Sequence, residues 1–193
     1  FYADVLFHNL HSLTDYYEPR FAKMRYDVGA TAEARLQAWK EGKTGYPMVD
    51  AGMRQLAQTG WMHNRVRMIV ASFLVKDLHL EWQQGAEHFE TLLTDFDPAS
   101  NAHGWQWTAG SGTDASPYYR VFNPITQGYK FDPNGDYVRK YIPELRHIDG
   151  AEVHEPWNVL GGYDHGYAMP IVDHAAEREE ALARLAEIKK TAD

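Results

Sequence analysis

Residues 44–78, TGYPMVDAGMRQLAQTGWMHNRVRMIVASFLVKDL, decide the fold, because they hold two helical patterns with one break between them. Apolar side chains recur three or four residues apart over 48–59 and again over 62–80, as they do on the buried face of an α-helix. The break falls at Thr59-Gly60, and glycine commonly follows the last turn of a helix. The stretch therefore predicts two consecutive helices.

The same spacing continues on both sides of this stretch. It predicts further helices over 32–41, 83–94 and 173–191. The chain also opens at Phe1 inside an amphipathic pattern that runs to Leu13, so we expect it to be the C-terminal part of a longer protein. The predicted fold class is mainly α.

The composition is that of one globular domain. With 193 residues and 44% hydrophobic side chains, the chain is long enough to bury one core of ordinary size. It contains no apolar run of the roughly 18 residues that a membrane span needs, and no secretory leader, so we predict neither a membrane nor an export role. It has no cysteine, which excludes disulfides and thiolate metal sites and fits a reducing compartment.

The net charge of −8 is unevenly distributed. Residues 144–193 carry −6 of it, which leaves −2 for residues 1–143. A local basic patch can therefore exist in the first part of the chain despite the acidic total. Its candidate members are Arg65, Arg67, Arg120, Lys130, Arg139 and Lys140.

Between Pro98 and Pro133 the helical spacing fails, and the segment is rich in glycine, asparagine, serine, proline and aromatic residues. Such a long irregular connection is uncommon in a compact domain, so we predict a binding role for it. Within NAHGWQW (101–107), we expect Trp105 and Trp107 to lie in an extended or turn segment where they can serve different surfaces. Taken singly each is a core filler, although indoles also stack on bases and planar cofactors.

The sequence GWMHNRVRM (60–68) combines an apolar face with an unusually polar one. On a helix, one stripe would hold Trp61, Asn64, Arg65 and Met68. Arg67 lies near the boundary of the two faces, where a guanidinium is costly to bury without an acceptor, so we predict a carboxylate or phosphate partner. Asp95 and Asp97 are the nearest candidates, although either residue alone is more often a helix cap or turn residue.

Other catalytic and metal motifs are missing from the sequence. His8 and His11 form the only histidine pair with helical metal spacing and there is no HExxH, so we predict no metal. The glycine-rich segment 108–117 is neither a P-loop nor a dinucleotide fingerprint, and no GxSxG nucleophile elbow occurs.

Two stretches carry a family resemblance: residues 44–78, quoted above, and residues 95–135, DFDPASNAHGWQWTAGSGTDASPYYRVFNPITQGYKFDPNG. They closely resemble the flavin-binding helical domain of DNA photolyases and cryptochromes, most of all the class I enzymes for cyclobutane pyrimidine dimers. The resemblance runs from Phe1 to the PIVDH at 170–174. It implies a mainly α, multi-helix FAD-binding domain of photolyase/cryptochrome type. Residues 1–193 match its C-terminal portion, with the N-terminal antenna-binding α/β domain and the first part of the FAD domain expected outside this chain.

The resemblance also implies roles for individual residues. The implied cofactor-binding residues are Trp61, Asn64, Arg67, Asp95, Phe96, Asp97 and Asn101. The implied catalytic residues are Trp105 and Trp82 for electron transfer, with Asn101, Met68 and Trp107. The implied DNA and lesion contacts are Asn64, Arg65, Met68, Trp107, Arg120 and Gln127. Asn101 matches the residue opposite flavin N5, where asparagine is typical of photolyases rather than of cryptochromes.

One position departs from the family pattern. The outer tryptophan of the electron-transfer chain is expected at position 29, where this sequence has Gly29. Tyr26 is close in sequence and carries an oxidisable phenol, so we consider it a substitute exit for the electron.

The function implied is light-driven repair of cyclobutane pyrimidine dimers in DNA, with FAD as cofactor and DNA containing the dimers as partner. A second antenna chromophore, methenyltetrahydrofolate or a deazaflavin, is expected in the N-terminal domain. We expect a cytoplasmic, bacterial-type monomer. Three alternatives stay open: a cryptochrome-type photoreceptor, a (6-4) photolyase, and a non-catalytic remnant that binds nucleic acid or a partner.

Overall fold

The computed structural model describes residues 1–113 and 119–190, and these residues form helices and turns without a strand. The α-helices are α1 (Tyr2–His8), α2 (Ala30–Lys40), α3 (Pro47–Thr59), α4 (Asn64–Ser72), α5 (Trp82–Leu92), α6 (Pro98–Ala109), α7 (Pro124–Phe131), α8 (Asp136–Tyr141) and α9 (His174–Lys190). Short 3-10 turns cover Leu10–Leu13, Pro19–Lys23, Pro143–Leu145, Gly150–His154 and Pro156–Asn158. The mainly α class predicted from the sequence is confirmed.

The helices predicted by apolar spacing are found with small shifts of their ends. The predictions 32–41, 48–59, 83–94 and 173–191 correspond to α2, α3, α5 and α9. At the start of the chain, the continuous pattern to Leu13 is divided into α1 and a 3-10 turn, and α1 has no buried residue. Its phenylalanines Phe1 and Phe7 are mostly exposed.

The prediction of one helix over 62–80 is wrong at both ends. Helix α4 begins only at Asn64, because the imidazole Nδ1 of His63 accepts a hydrogen bond from the N–H of Arg65 and caps the first turn. After Ser72 the backbone widens into a π-helical turn over Phe73–Asp77. Such single π turns inside helices often accompany functional sites.

The prediction that residues between Pro98 and Pro133 are irregular is also wrong, because α6 and α7 lie within them. Each helix starts with a proline at its first position and a capping side chain before it. Asp97 Oδ2 accepts from the N–H of Ser100 at 2.8 Å, and Asn123 Oδ1 accepts from that of Ile125 at 2.9 Å. Helix α6 was not predicted from apolar spacing because its buried residues include the polar His103, Gln106 and Thr108.

Close helix contacts build the main core. A Cβ added to Gly85 of α5 would lie 2.1 Å from Trp105 Cη2 of α6, and one added to Gly52 of α3 would lie 2.5 Å from Val66 Cγ1 of α4. These two glycines therefore let the helix pairs approach closely. A second, smaller core packs around Val138, Ile142, Leu145 and Val153.

Helix α9 is held against the core by both apolar and charged contacts. Its residues Ala181, Leu185 and Ile188 are buried. At its start His174 Nδ1 is hydrogen-bonded to Asp77, and farther along Arg184 Nη1 donates to Asp27 Oδ1 at 2.8 Å. Within the described part of the chain, no helix is both long and apolar enough to cross a membrane.

Candidate functional site

A cavity of about 370 Å³, called here the main cavity, lies between α4, α5 and α6. Its walls contain nine residues singled out in the sequence: Asn64, Arg67, Met68, Asp95, Phe96, Asp97, Asn101, Trp105 and Trp107. They come from α4, from the connection between α5 and α6, and from α6 itself. The volume is within the roughly 300–1,000 Å³ of small-molecule sites. The structure thus brings most of the candidates to one place.

Arg67 and Asp95 form an ion pair at the rim of the main cavity. Arg67 Nη2 lies 2.8 Å from Asp95 Oδ2 and 3.1 Å from Oδ1, while Arg67 Nε donates to the carbonyl of Met62 at 2.6 Å. The pairing of Arg67 with a carboxylate is therefore confirmed. Because the Asp95 side chain is 48% exposed, the pair contributes at most about 1 kcal/mol to stability. Its main effect is to orient the guanidinium.

Asp97 has the capping role that a turn aspartate commonly has. Hydrogen bonds from Ser100, first through its side chain and then through its backbone N–H, lower the pKa of the Asp97 carboxyl. Asp97 also lines the main cavity. It therefore places a negative charge beside the first turn of α6.

One face of α6 forms a wall of the main cavity. It carries Ser100, Asn101, Gly104, Trp105 and Thr108, spaced three or four residues apart. Asn101 Nδ2 donates to the carbonyl of Ala86 at 3.0 Å, which fixes its amide. Apart from its chain neighbours and the backbone of its own helix, no heavy atom of the described residues lies within 4 Å of a Cβ built on Gly104, so a flat molecule can approach the helix there.

Several residues of this wall are not predicted by the sequence pattern. Ser100, Gly104 and Thr108 were not proposed, because the segment was expected to be irregular. The Asp97-Pro98 pair was the available signal, since a capping residue before a proline marks a helix start. Counting from it would have placed these residues on one face. Other wall residues outside the prediction are Tyr2, Ala71, Phe89 and Leu93.

Trp105 and Trp107 lie on α6, so the extended or turn conformation expected for them is wrong. Two residues apart on a helix, they are separated by roughly 200° around its axis and still face different surroundings. Trp105 is 3% exposed and its ring contacts that of Phe89 at 4.9 Å between centroids. Its indole Nε1 is buried without a hydrogen-bond partner among the residues that the structure describes. Trp107 is half-buried.

Trp82 lies outside the main cavity, at the start of α5. It lines a neighbouring cavity of about 400 Å³ that shares Phe96 and Asn101 with the main one. Gly85, one turn later on the same helix, contacts the Trp105 ring. On its other side, Trp82 meets the edge of Tyr16, with ring centroids 6.4 Å apart.

The backbone at Gly29 explains part of the departure from the family pattern. Gly29 has a φ of +91°, which L-residues with a side chain rarely adopt. It precedes α2 and is exposed. A tryptophan at this position would strain the backbone as it is. Tyr26 is half-buried and stacks on Tyr16, with centroids 6.0 Å apart.

Besides Trp82, four predicted site residues lie outside the main cavity: Trp61, Arg65, Arg120 and Gln127. Trp61 precedes α4, so it does not share the helical stripe expected for it, and it is 45% exposed. Arg65 lies over the ring of Phe131 at 4.9 Å, beside Lys130 at 5.3 Å from the same ring. Gln127 is half-buried on α7.

The candidate members of the basic patch have different surroundings. Arg67 is paired with Asp95, and Arg139 with Asp136 and the carbonyls of Ile148 and Gly150. Arg65 and Lys130 meet on Phe131, as described above. Arg120 belongs elsewhere, to a second cavity of about 310 Å³ that also holds Arg20, Lys76 and Lys189.

Lys76 is the buried cation of this second cavity. Its Nζ donates to the carbonyl of Arg120 and lies 4.1 Å from the ring centroid of Tyr119. Burial lowers the pKa of Lys76 to about 7. Trp107 and Thr108 line this cavity as well as the main one, so they separate the two.

Among the described residues, no three histidine, aspartate or glutamate side chains come together in a way that could hold a metal ion. The main cavity instead suits a flat, largely apolar molecule with polar edges. Aromatic and aliphatic side chains supply the apolar walls, and Arg67, Asp97 and Asn101 supply polar contacts at its border. The open face at Gly104 and the unpaired Trp105 Nε1 fit such a ligand.

Comparison with known proteins identifies the same protein family as the sequence resemblance. The model of the family described as the FAD binding domain of DNA photolyase matches residues 1–187. The deoxyribodipyrimidine photo-lyase of Escherichia coli (strain K12) is 57% identical over 152 residues, which cover 78% of this chain and 32% of that relative. The chain spans about a third of the length of the curated relatives it matches.

Solved structures show the same fold. A bacterial class III photolyase from Agrobacterium tumefaciens superposes with a TM-score of 0.89 at 48% identity, over 96% of this chain and 40% of its own. The archaeal photolyase from Sulfolobus tokodaii, described with two FAD molecules, superposes with a TM-score of 0.86 at 34% identity, over 96% of this chain and 42% of its own.

Proposed function

The chain belongs to the FAD-binding domain family of DNA photolyases, and from this we propose that it forms part of an enzyme that uses light to repair cyclobutane pyrimidine dimers in DNA. The observation that carries the proposal is the main cavity. Nine of the residues assigned by resemblance, from Asn64 to Trp107, line this cavity although they are up to 43 positions apart in sequence.

FAD is the cofactor that we propose for this cavity. Bound there, it would supply the electron that light transfers to the dimer and that returns after the cyclobutane ring has split. Arg67, held by Asp95 and the Met62 carbonyl, is the fixed cation that would favour a negatively charged flavin. Gly104 would let the ring system lie close to α6, and Asn101 would offer it a neutral amide.

The chain's own residues would also form one side of the lesion pocket. Trp107 is half-buried between the two cavities, which suits an aromatic wall against which a flipped dimer stacks. Asn64 and Met68 line the main cavity from the wall contributed by α4. In the proposed enzyme, the unusually polar face of α4 would therefore contact the lesion.

For DNA docking we propose two groups of residues. Arg65, which is half-buried, and Lys130, which is exposed, both pack on Phe131 and would contact phosphates, and Arg120 offers a further cation at the second cavity. Gln127, on the same helix as Lys130, is a candidate contact for DNA or lesion. A duplex bound in this way would be strongly salt-dependent.

The names of the relatives favour dimer repair over a cryptochrome-type photoreceptor or a (6-4) photolyase. Asn101, opposite flavin N5 by resemblance, supports the same choice. The non-catalytic remnant stays an outcome of the experiment below. Membership of class I in particular stays a prediction.

The wider context is also part of the proposal. Residues 1–193 would be the C-terminal portion of the helical FAD-binding domain, with an antenna domain that binds methenyltetrahydrofolate or a deazaflavin encoded upstream. The share of the relatives that the chain covers is consistent with this. We propose a cytoplasmic, bacterial-type monomer.

Light-dependent repair by the full-length parent tests this function. The photoreduced enzyme is illuminated with oligonucleotide containing cyclobutane dimers, and dimer loss is followed by chromatography. Repair that requires both light and FAD, and that falls in Trp107→Ala, supports the proposal. Bound and photoreducible FAD without dimer loss would favour the photoreceptor or (6-4) alternatives. If the parent binds no FAD, the remaining alternative is a non-catalytic remnant that binds nucleic acid or a partner.

A further inference from the structure

A row of aromatic rings leads from the main cavity towards the surface. Trp105 lines the cavity and packs on Gly85 of α5, one turn from Trp82. Trp82 meets the edge of Tyr16 at 6.4 Å between ring centroids, and Tyr16 stacks on Tyr26 at 6.0 Å with an interplanar angle of 17°. Tyr16 is 4% exposed and Tyr26 is half-buried, so the row ends near solvent.

The hydroxyl groups of Tyr16 and Tyr26 have different hydrogen-bond acceptors. The hydroxyl of Tyr16 donates to the carboxylate of Glu81, Oε1, at 3.4 Å. The hydroxyl of Tyr26 donates to the backbone carbonyl of Phe21 at 3.2 Å. A carboxylate can accept a proton, whereas a peptide carbonyl is too weak a base to keep one. Glu81 is half-buried and can pass the proton to water.

Both phenols are protonated at neutral pH. Burial, reinforced by Tyr26 and Glu81, raises the pKa of Tyr16 well above its ordinary value, and burial raises that of Tyr26 to about 12. A tyrosine that loses an electron becomes a strong acid and gives up its phenolic proton. Oxidation in this row is therefore easiest at the phenol that has a base beside it.

We propose that Tyr16, with Glu81 as its base, takes the place of the missing outer tryptophan as the electron donor to oxidised Trp82. The proposal rests on the proposed function, in which FAD bound in the main cavity would supply a one-electron oxidant under light and Trp105 and Trp82 would pass the oxidation outward. One electron moves from Tyr16 to the Trp82 radical cation, which becomes neutral tryptophan. The phenolic proton moves to Glu81, and a neutral Tyr16 radical remains.

Tyr26 then has a different role from the direct exit considered from sequence. It stacks on Tyr16 and is the more exposed of the two, so it is the ring through which a thiol reductant from solution can return the electron. Another aromatic contact of the cavity leads into the interior. It passes from Trp105 to Trp39, which is fully buried and donates its Nε1–H to the carbonyl of Val70.

The test is time-resolved absorption of the full-length parent with oxidised FAD, with freeze-trapped electron paramagnetic resonance on ring-deuterated tyrosine. Four variants are compared with wild type: Tyr16→Phe, Glu81→Gln, Tyr26→Phe and Trp82→Phe. Tyr17→Phe is the matched control, because it removes a phenol one residue along the chain whose ring contacts His103 instead. Circular dichroism confirms that each variant is folded.

In wild type and Tyr17→Phe, we expect the tryptophan radical to decay into a tyrosyl radical sensitive to ring deuteration. In Tyr16→Phe, that radical is lost and the tryptophan radical lives at least tenfold longer. In Glu81→Gln, the tyrosyl radical still forms but at least tenfold more slowly. In Tyr26→Phe, it forms at the wild-type rate, and a thiol quenches it more slowly.

Several outcomes would overturn the proposal. If the tryptophan radical decays as fast in Tyr16→Phe as in wild type, or if the tyrosyl radical persists there, the relay is wrong while the proposed function stands. If Trp82→Phe leaves tyrosyl radical formation unchanged, Trp82 is not the acceptor and the relay is equally wrong. A parent that binds no FAD would remove the proposed function itself, and the relay with it.

Discussion

Arg67 reaches Asp95 with a single nitrogen, Nη2, which lies 2.8 Å and 3.1 Å from the two carboxylate oxygens. Its Nε is bonded to the carbonyl of Met62, so the guanidinium is fixed from two sides. Since the pair is partly exposed, it contributes little to the free energy of unfolding. We expect a larger contribution to the binding of a negatively charged ligand in the main cavity, because a pre-oriented cation needs no rearrangement on binding.

Asp95→Asn should therefore weaken FAD binding much more than it weakens the fold. In the full-length parent we expect the Kd for FAD to rise about tenfold, equivalent to about 1.4 kcal/mol. The free energy of unfolding should fall by less than about 1 kcal/mol. FAD release is followed by fluorescence and stability by urea titration. Asp136→Asn, which removes an exposed arginine pair outside the main cavity, is the control and should leave FAD affinity unchanged.

Gly104 offers a test of where the ligand lies. Gly104→Ala meets no atom of the described residues within 4 Å and should stabilise α6 by up to about 1 kcal/mol. Gly104→Leu would extend into the main cavity and should reduce FAD content at least tenfold. Absorbance of the purified full-length variants measures this content. Full FAD content in Gly104→Leu would show that the flavin does not approach α6 at this point.

The two indoles of α6 should be separable by function. Trp105→Phe should slow light-driven reduction of FAD at least tenfold and have a smaller effect on dimer binding, because Trp105 is buried on the α5 side. Trp107→Ala should weaken dimer binding by the roughly 1–3 kcal/mol of a lost base stack and slow photoreduction less. Flash photolysis and fluorescence anisotropy measure the two effects. Equal effects of both variants on both quantities would contradict the separation.

Arg65 should act through DNA phosphates. Arg65→Ala in the full-length parent should weaken binding similarly for dimer-containing and intact duplexes, and reduce the slope of log Kd against log salt by about one. Anisotropy over a range of salt concentrations gives this slope. Arg178→Ala, an exposed arginine on α9 paired with Glu179, is the control. An unchanged slope in Arg65→Ala would place the DNA elsewhere.

Lys76 predicts an unusual pH dependence of stability. Burial lowers its pKa from 10.5 to about 7 in the folded chain, so between these values the unfolded chain binds the extra proton. The free energy of unfolding should therefore rise with pH in this window, by up to about 1.4 kcal/mol per pH unit. Lys76→Met removes the titrating group and should flatten the profile. Urea titrations at about pH 8 and about pH 9.5 compare the two proteins, and parallel profiles would contradict the prediction.

Much of this molecule can be predicted from local sequence signals. Helices α2, α3, α5 and α9 follow from apolar side chains that recur three or four residues apart, which matches the 3.6-residue helical period. The pairing of Arg67 with a carboxylate follows from the cost of leaving a guanidinium at a buried boundary without an acceptor. The choice between Asp95 and Asp97 could not be made, since it depends on which carboxylate the fold brings within reach.

What the sequence determined by itself is therefore the helical class, the family and the residue types of the site. Only the tertiary structure decided that α6 is a helix, because its buried residues include the polar His103, Gln106 and Thr108 and so leave no apolar pattern to recognise. It also decided that Gly104 faces open space while Gly85 receives the ring of Trp105, and that Tyr16 lies between Trp82 and Tyr26. Such relationships join residues far apart in the chain, and they arise only when packing sets the distances between helices.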